Sequence, residues 1–252
     1  MAISGAAAAP QMGLATIKGL SFWLALLNIR LGYWLRKPAT NSWVSGPPGL
    51  RCLLREMLGT MDEKLSWLNV SDGGHIENLG VYELLRRRCK YIIAIDGEHD
   101  PKMTFHALTT IQRLAAIDLG VRIDINLDDL RLNPLGLSRS HFRFCRIRYP
   151  KNGRESEDLF GYLLYVKLSL TGNEGEFIRR YRLDEPAFPH HSTADQFFTE
   201  AQFEAYRSLG EHIGDKFFLR AIVGELADAK TIKVEDWFRE LGENLLEPSA
   251  PM

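Results

Sequence analysis

The chain has 252 residues, of which 31 are Lys or Arg and 32 are Asp or Glu, so its formal net charge is -1 with neutral histidines. With 45% hydrophobic and 25% charged residues, its composition is that of a globular protein, which excludes collagen, coiled coils and wholly disordered proteins. A nearly neutral chain lacks the overall basic charge that attracts nucleic acid, and we expect no nucleic-acid partner.

The most apolar stretch near the start of the chain is residues 19–35, which Arg30 interrupts and glycine and asparagine dilute. A membrane span needs about 20 mostly apolar residues, so this stretch predicts a core helix that leads into a buried strand. The first residues do not resemble a signal peptide, because they lack a basic start and an apolar core. We expect a protein that is cytoplasmic or lies peripherally at the inner membrane face.

The next segments predict alternating strands and helices. LRCLLREML has leucines at helical spacing over residues 50–58, and LSWLNV predicts a buried strand. The helix ENLGVYELLRRR precedes CKYIIAID, an apolar run typical of a parallel strand covered on both faces. A further helix closes on Gly120 before the short strand VRIDI. This order predicts an α/β fold, with a three-layer, parallel-rich sheet and flanking helices.

The pattern changes in the second half of the chain. HFRFCRIRYP and GYLLYVKLSL alternate in character and flank a polar connection, which predicts a hairpin at one edge of the sheet. Residues 202–212 predict one of several terminal helices. We expect residues 1–252 to belong to a single domain, with an α/β part over residues 1–130 and the edge hairpin and helices over residues 131–252.

The three cysteines, Cys52, Cys89 and Cys145, do not stand at metal-ligand spacing. Their odd number and spacing predict free thiols in a reducing compartment. Zinc bound by cysteine is therefore not expected, and no sequence motif points to a cofactor.

An acid and two glycines, Asp72, Gly73 and Gly74, follow the strand LSWLNV, and Asp96 ends the next strand. Ligand sites of open parallel sheets lie at the carboxyl ends of the strands, so the two acids are expected along one crevice. The glycines would let the chain turn sharply and let a substrate approach the backbone. Asp72 is then either a general base or only a cap that accepts backbone N–H groups of the following helix.

A longer pattern surrounds these residues. DGGHIENLGVYELLRRRCKYIIAIDGEHDP, residues 72–101, resembles the catalytic-acid segment of patatin-like phospholipases, cytosolic phospholipases and fungal lysophospholipases. AISGAAAAPQMG and FPHHSTADQFFTEAQFEAYRSLGEHI look like segments of bacterial patatin-like proteins. The resemblance implies a lipid acyl hydrolase with a Ser-Asp dyad and a lipid or other acyl-ester substrate. It also implies that Asp72 is the catalytic acid and that Gly73 and Gly74 complete its motif.

The serine of that dyad is missing from this sequence, which contains no Gly-x-Ser-x-Gly elbow and no glycine-rich oxyanion loop. The nearest sequence, GLSRS, has Arg139 where the elbow requires glycine, so Ser138 is not expected to be a nucleophile. We expect this chain to be the C-terminal part of a longer protein and to be inactive alone, with the serine in a missing N-terminal half.

Two alternatives remain at this stage. Carboxylates and imidazoles cluster in two short segments and could hold zinc or manganese in a metal-dependent hydrolase. These candidate ligands are Asp72, His75, Glu77, Asp96, His99 and Asp100. The chain could instead be a non-catalytic relative that binds lipid or a protein partner, with His190 and His191 at the interface.

Overall fold

The computed structural model describes residues 22–24, 26–27, 32–37, 49–62, 64–150, 159–192, 195 and 197–246. The chain forms two compact units that divide between Asn78 and Leu79, and each unit has its own sheet. In the described part of the chain, no helix has the length and apolar character that crossing a membrane requires.

The first unit contains a two-stranded antiparallel sheet of β1, Tyr33–Arg36, and β2, Trp67–Val70. Helix α1, Leu50–Leu58, has the bounds that its leucine spacing predicts. It ends on Gly59, whose φ of 65° lies in the left-handed region that glycine adopts without strain. Of residues 19–35, the predicted core helix and buried strand, the structure describes 22–24, 26–27 and 32–35. Trp23, Leu26 and Leu27 are exposed in the helical part, and of the β1 residues Tyr33, Trp34 and Leu35 only Trp34 is buried. The prediction of a core helix that leads into a buried strand is therefore wrong for the described residues.

A buried carboxylate connects β1, α1 and β2 of the first unit. The indole Nε1 of Trp34 on β1 donates to Glu56 on α1, and Asn69 Nδ2 on β2 donates to the same Oε1 atom at 3.4 Å. All four residues of β2 are only half-buried, and β2 pairs with an antiparallel neighbour. The prediction of a buried strand in a parallel sheet is therefore wrong for this segment.

The second unit contains a four-stranded sheet in the order β3-β6-β5-β4. These strands are β3 (Tyr91–Asp96), β4 (Arg122–Ile123), β5 (Phe142–Tyr149) and β6 (Leu159–Lys167). β3 and β6 are parallel, whereas β6 with β5 and β5 with β4 are antiparallel. The mixed α/β fold is confirmed, but the described sheet is not parallel-rich, because adjacent strands of a hairpin must run antiparallel.

The predicted hairpin forms, with Phe142 opposite Val166 and Tyr149 opposite Leu159. Its place in the sheet differs from the prediction, because β5 and β6 occupy the two central positions rather than an edge. β3 lies at the edge instead, and the side chains of Ile93 and Ile95 on it are 48% and 68% exposed. β3 is therefore not the strand covered on both faces that its apolar run predicts.

Helices flank both faces of this sheet. The helices of the second unit are α2 (Val81–Arg86), α3 (His106–Leu119), α4 (Glu176–Asp184), α5 (Glu200–Lys216), α6 (Arg220–Val223) and α7 (Val234–Leu245). Leu163 and Tyr165 of β6 pack in one core with α2 and α3, and Leu164 and Val166 pack in another with α5 and α7. Because successive side chains of a strand point to opposite faces, the two cores lie on opposite sides of the sheet.

Several further predictions have definite outcomes. α3 ends on Gly120, and α5 contains residues 202–212, as predicted. Cys52, Cys89 and Cys145 are free thiols. Short 3₁₀ turns form at Gly73–His75, Asp128–Leu130 and Gly224–Asp228. The strands of the larger sheet come from both sides of residue 130.

Candidate functional site

Asp72 lies two residues beyond the end of β2 and caps the 3₁₀ turn Gly73–His75. Its backbone is extended, and its Oδ1 accepts a hydrogen bond from the N–H of Gly74 at 3.2 Å. The side chain is only half-buried. This is the capping geometry that one alternative predicted, and it holds the carboxylate in a defined position without removing it from solvent.

The two glycines of the motif differ in what surrounds them. A Cβ atom at Gly74 would lie 2.7 Å from Asn78 Oδ1 and 3.4 Å from Asp72 Oδ2, whereas a Cβ at Gly73 would have no described neighbour within 4 Å. A side chain at position 74 would therefore push against the residues that surround the carboxylate. The open space at Gly73 is compatible with the close approach of another molecule, as the sequence predicted.

The predicted metal ligands do not come together. His75 Nδ1 is 3.1 Å from Ser71 Oγ within the first unit. In the second unit, His99 Nδ1 donates to the backbone oxygen of His190 at 2.6 Å. Among the described residues, neither the three candidates in the first unit nor the three in the second form a group with ligand atoms close enough to share one ion. The metal-dependent alternative therefore receives no geometric support from these residues.

Asp96 is fully buried at the end of β3 and has strong partners. Tyr165 Oη donates to its Oδ2 at 2.5 Å, and Lys167 Nζ donates to its Oδ1 at 2.9 Å. Lys167 is Asp96's register partner on the parallel strand β6, and its Nζ also lies 3.7 Å from Glu98 and 3.6 Å from Asp100. Burial, together with the Asp96 carboxylate, raises the pKa of Tyr165. We call these five residues the lysine cluster.

The acidic residues after β3 also accept hydrogen bonds from backbone N–H groups at the start of α3. Asp100 Oδ1 accepts from the N–H of Thr104 at 2.9 Å, and its Oδ2 accepts from the N–H of Phe105 at 2.8 Å. Burial alone would raise the pKa of Asp100, but these backbone hydrogen bonds outweigh burial and lower it. Glu98 Oε1 accepts from the N–H of Ala107 in α3. The acids here are thus part of the N-terminal capping of α3.

The expectation that Asp72 and Asp96 end neighbouring strands is wrong. Asp72 follows β2 in the antiparallel pair, whereas Asp96 ends β3, whose parallel neighbour is β6. The partner at the end of β6 is a lysine, Lys167, and not a second acid. Alternating strand and helix segments could not reveal this, because pairing depends on which distant strand fits beside β3.

A cavity of about 480 Å³ opens at the carboxyl ends of β3 and β6. It is lined by Gly97, Leu168, His191, Ser192, Phe198, Phe203, Tyr206 and Arg207. His191 Nδ1 is 2.9 Å from Tyr206 Oη at this cavity. His190 is instead buried, and its pKa is lowered to about 4 by burial and by the nearby Lys167 charge. Of the two predicted interface histidines, only His191 lines an open surface.

Ser138, the central residue of GLSRS, is buried, and its Oγ donates to the backbone oxygen of Leu130 at 2.8 Å. A nucleophile needs a hydroxyl that a substrate can reach, beside a group that accepts its proton. The Ser138 hydroxyl instead donates its proton to a backbone carbonyl inside the protein. The prediction that Ser138 is not a nucleophile agrees with this geometry.

Sequence reasoning missed a group formed by His141, Glu174 and His212. One ligand atom from each lies within 4.8 Å of the others. His141 and Glu174 are buried and His212 is partly exposed. Burial lowers the pKa of His141 to about 4 and also lowers that of His212, so both imidazoles are neutral at pH 7. The three residues are far apart in sequence, so no short motif could reveal them.

No family model matches the chain, and neither a curated protein nor a solved structure matches it. The likeness to patatin-like proteins thus stays a prediction from the residues quoted above. Fold class alone does not identify an activity, so the functional argument depends on the geometry of these sites.

Proposed function

We propose that this chain is the acid-bearing part of a patatin-like lipid acyl hydrolase and that Asp72 is the base of its Ser-Asp dyad. The observation that carries the proposal is the contrast between the two strand-end acids. Asp72 is half-exposed and oriented by the Gly74 N–H, whereas Asp96 is buried against Lys167 and Tyr165. A base that takes the proton of a serine needs an accessible carboxylate oxygen, which the environment of Asp72 provides and that of Asp96 does not.

The chemistry follows from the two oxygens of the Asp72 carboxylate. Oδ1 accepts the Gly74 N–H, so Oδ2 is the oxygen that would accept the proton of a serine hydroxyl. As the serine Oγ bonds to the acyl carbonyl carbon, its proton moves to Asp72, which then returns it to the departing alcohol. Water repeats the sequence to release the acid and regenerate the serine. In this proposal, the serine lies in a part of the protein that this sequence does not contain.

The edge of the larger sheet offers a further argument. β3 has no second neighbour among the described strands, and Ile93 and Ile95 on it are exposed. An exposed apolar edge strand is a place where another strand can pair, and soluble proteins usually cover such edges. We propose that the serine-bearing part of the domain covers this edge. The substrate would be a lipid or other acyl ester, which fits a protein bound peripherally at a membrane surface.

The decisive experiment compares Asp72→Asn with Asp62→Asn in the full protein encoded by the reading frame that contains this chain. Asp62 is a matched control, because its Oδ1 also accepts a backbone N–H two residues on, from Lys64 at 2.9 Å. We expect Asp72→Asn to lower hydrolysis of phosphatidylcholine vesicles and of a short nitrophenyl ester by about a hundredfold to ten-thousandfold. Asp62→Asn should leave both rates unchanged.

Two measurements together distinguish loss of the base from loss of the fold. They are the rate of labelling by a fluorescent phosphonate, which reacts with activated serines, and the unfolding transition. Asp72→Asn should lower the labelling rate while the unfolding transition stays in place. Full ester hydrolysis by Asp72→Asn would refute the assignment of the base. Absence of both hydrolysis and labelling in the wild-type protein would refute the proposed activity itself.

The cavity at the ends of β3 and β6 favours a second candidate, a non-catalytic module that binds an apolar ligand. Phe198 and Phe203 at this cavity are exposed, and Arg207 is paired with Glu204 and Glu211. The lining therefore offers aromatic surface with little net charge, which suits an acyl chain. Saturable binding of a fluorescent fatty acid that Phe203→Ser weakens, in a protein with no phosphonate labelling, would favour this candidate.

A further inference from the structure

The group His141, Glu174 and His212 joins three separate elements of the second unit. His141 immediately precedes β5, Glu174 lies between β6 and α4, and His212 lies on α5. One potential ligand atom of each residue lies within 4.8 Å of the others, and His141 Nε2 is 4.0 Å from Glu174 Oε1. Two imidazoles and one carboxylate therefore converge on one point without any sequence motif.

The hydrogen bonds around His141 orient one ring nitrogen toward that point. Ser169 Oγ donates to the backbone oxygen of Lys167 at 3.2 Å, and lies 2.9 Å from His141 Nδ1. With the serine proton on this carbonyl, the serine oxygen is free to accept the proton of the Nδ1–H tautomer of His141. This tautomer leaves the Nε2 lone pair directed at Glu174. An outer partner that fixes the tautomer in this way is typical of histidines that bind metals.

The centre of the group holds more lone pairs than protons. The hydroxyl of Thr171 has one proton, and it lies 3.1 Å from His141 Nε2, 2.9 Å from Asn173 Oδ1 and 3.2 Å from Glu174 Oε1. It can donate to only one of these three acceptors at a time. The buried Glu174 carboxylate accepts backbone N–H groups of Thr171 and Gly172, and it has no Lys or Arg partner within ion-pair distance among the described residues. A cation would satisfy the remaining lone pairs.

We propose that His141, Glu174 and His212 bind a divalent transition-metal ion, with Zn²⁺ as the expected occupant. Zinc takes imidazole nitrogen and carboxylate oxygen at about 2.0–2.2 Å, and sites with three protein ligands keep a fourth position for water or substrate. The ligands of a tetrahedral zinc lie about 3.3 Å apart, so the group must contract by about an ångström. His212 is partly exposed and gives the ion a route from solvent.

One nearby charge opposes the ion. Lys216 lies one turn after His212 on α5, and its charge adds to the effect of burial in lowering the pKa of both His141 and His212. Its side chain is partly exposed, so it can turn toward solvent when a cation binds. A metal bound at His212 Nε2 would also replace the contact of this nitrogen with Asn173 Oδ1, at 2.9 Å. Each of these changes involves a side chain at the surface end of the group and leaves the buried His141 in place.

Titration of the metal-free full chain tests the proposal, with Zn²⁺ followed by calorimetry and Co²⁺ by its visible absorption. We expect one ion per chain and a Kd at or below about 1 µM. Glu174→Gln removes the charge and keeps an oxygen for one of the two backbone N–H groups, which bind different oxygens of the carboxylate. His212→Ala removes a partly exposed ligand and leaves these hydrogen bonds in place. Each variant should weaken binding by at least about tenfold while circular dichroism stays unchanged.

His106→Ala is the matched control, because His106 is an exposed histidine outside the group. It should bind Zn²⁺ as the wild type does. Equal binding by the wild type, Glu174→Gln and His212→Ala would show that the ion sits elsewhere and would overturn the proposal. Failure of the folded wild-type chain to bind either ion at about 100 µM would overturn it as well.

Discussion

Two acids at strand ends look alike in the sequence and have opposite environments in the structure. Asp72 follows β2, stays half-exposed and accepts one N–H from the turn that it caps. Asp96 ends β3 and is enclosed by Tyr165 and Lys167. A strand-end carboxylate is therefore a candidate base only where its surroundings leave an oxygen accessible. The same chemical group serves as internal structure where a buried cation neutralises it.

The largest expected effect comes from removing the cation of the lysine cluster. Lys167→Met leaves the buried Asp96 and Asp100 without their ammonium partner, and an uncompensated buried charge typically costs about 3–5 kcal/mol. Urea unfolding followed by circular dichroism measures the loss. Lys102→Met, at an exposed lysine, is the control and should change stability by less than about 0.5 kcal/mol.

The double variant Asp96→Asn with Lys167→Met sharpens this prediction. Removing both charges leaves less buried charge unpaired, so the double variant should be more stable than Lys167→Met alone. If Lys167→Met unfolds at the same urea concentration as the wild type, the cluster does not hold the strand ends together.

Acid should destabilise the second unit through His190. Burial and the Lys167 charge hold the pKa of His190 at about 4 in the folded chain, against about 6.5 in the unfolded chain. Between these values the unfolded chain binds more protons, so stability is full above pH 6.5 and falls as the pH drops toward 4. A histidine whose pKa is lowered by this much reduces the free energy of unfolding by about 3 kcal/mol as the pH falls through that range.

Urea unfolding at pH 7, 5.5 and 4.5 measures that loss. His141 titrates over the same range, so the contribution of His190 is the difference between the wild type and His190→Gln. His106→Gln, at an exposed position, should keep the wild-type pH dependence. An identical pH dependence in the wild type and His190→Gln would contradict the buried environment assigned to His190.

The smallest effects are expected at Asp72, where the carboxylate is only half-buried. Asp72→Ala removes the capping oxygen and should cost about 1 kcal/mol in the first unit. Asp72→Asn keeps an oxygen for the Gly74 N–H and should cost less than about 0.5 kcal/mol. Thermal unfolding of both variants tests this order. A larger loss in Asp72→Asn than in Lys167→Met would reverse the comparison between the two acids.

Local features were readable from the sequence where short-range chemistry decides them. The bounds of α1, the Gly120 end of α3 and the pairing of β5 with β6 follow from leucine spacing, a C-terminal glycine and two strands around a polar connection. The turn at Asp72 was also readable, because an acid followed by two glycines can cap a tight turn. The order of the strands could not be predicted, because an edge strand and a central strand differ only in which distant segments pair with them.

The sequence by itself determined the α/β class, the free thiols and the absence of a Gly-x-Ser-x-Gly motif from these 252 residues, and it identified Asp72 as a candidate site residue. Only the tertiary structure decided that Asp96 pairs with Lys167, that β3 is an edge strand and that His141, Glu174 and His212 meet. The physical reason is the range of the interactions. Caps and turns involve residues a few positions apart, whereas ion pairs and metal sites depend on side chains that strand pairing and helix packing bring together from distant segments.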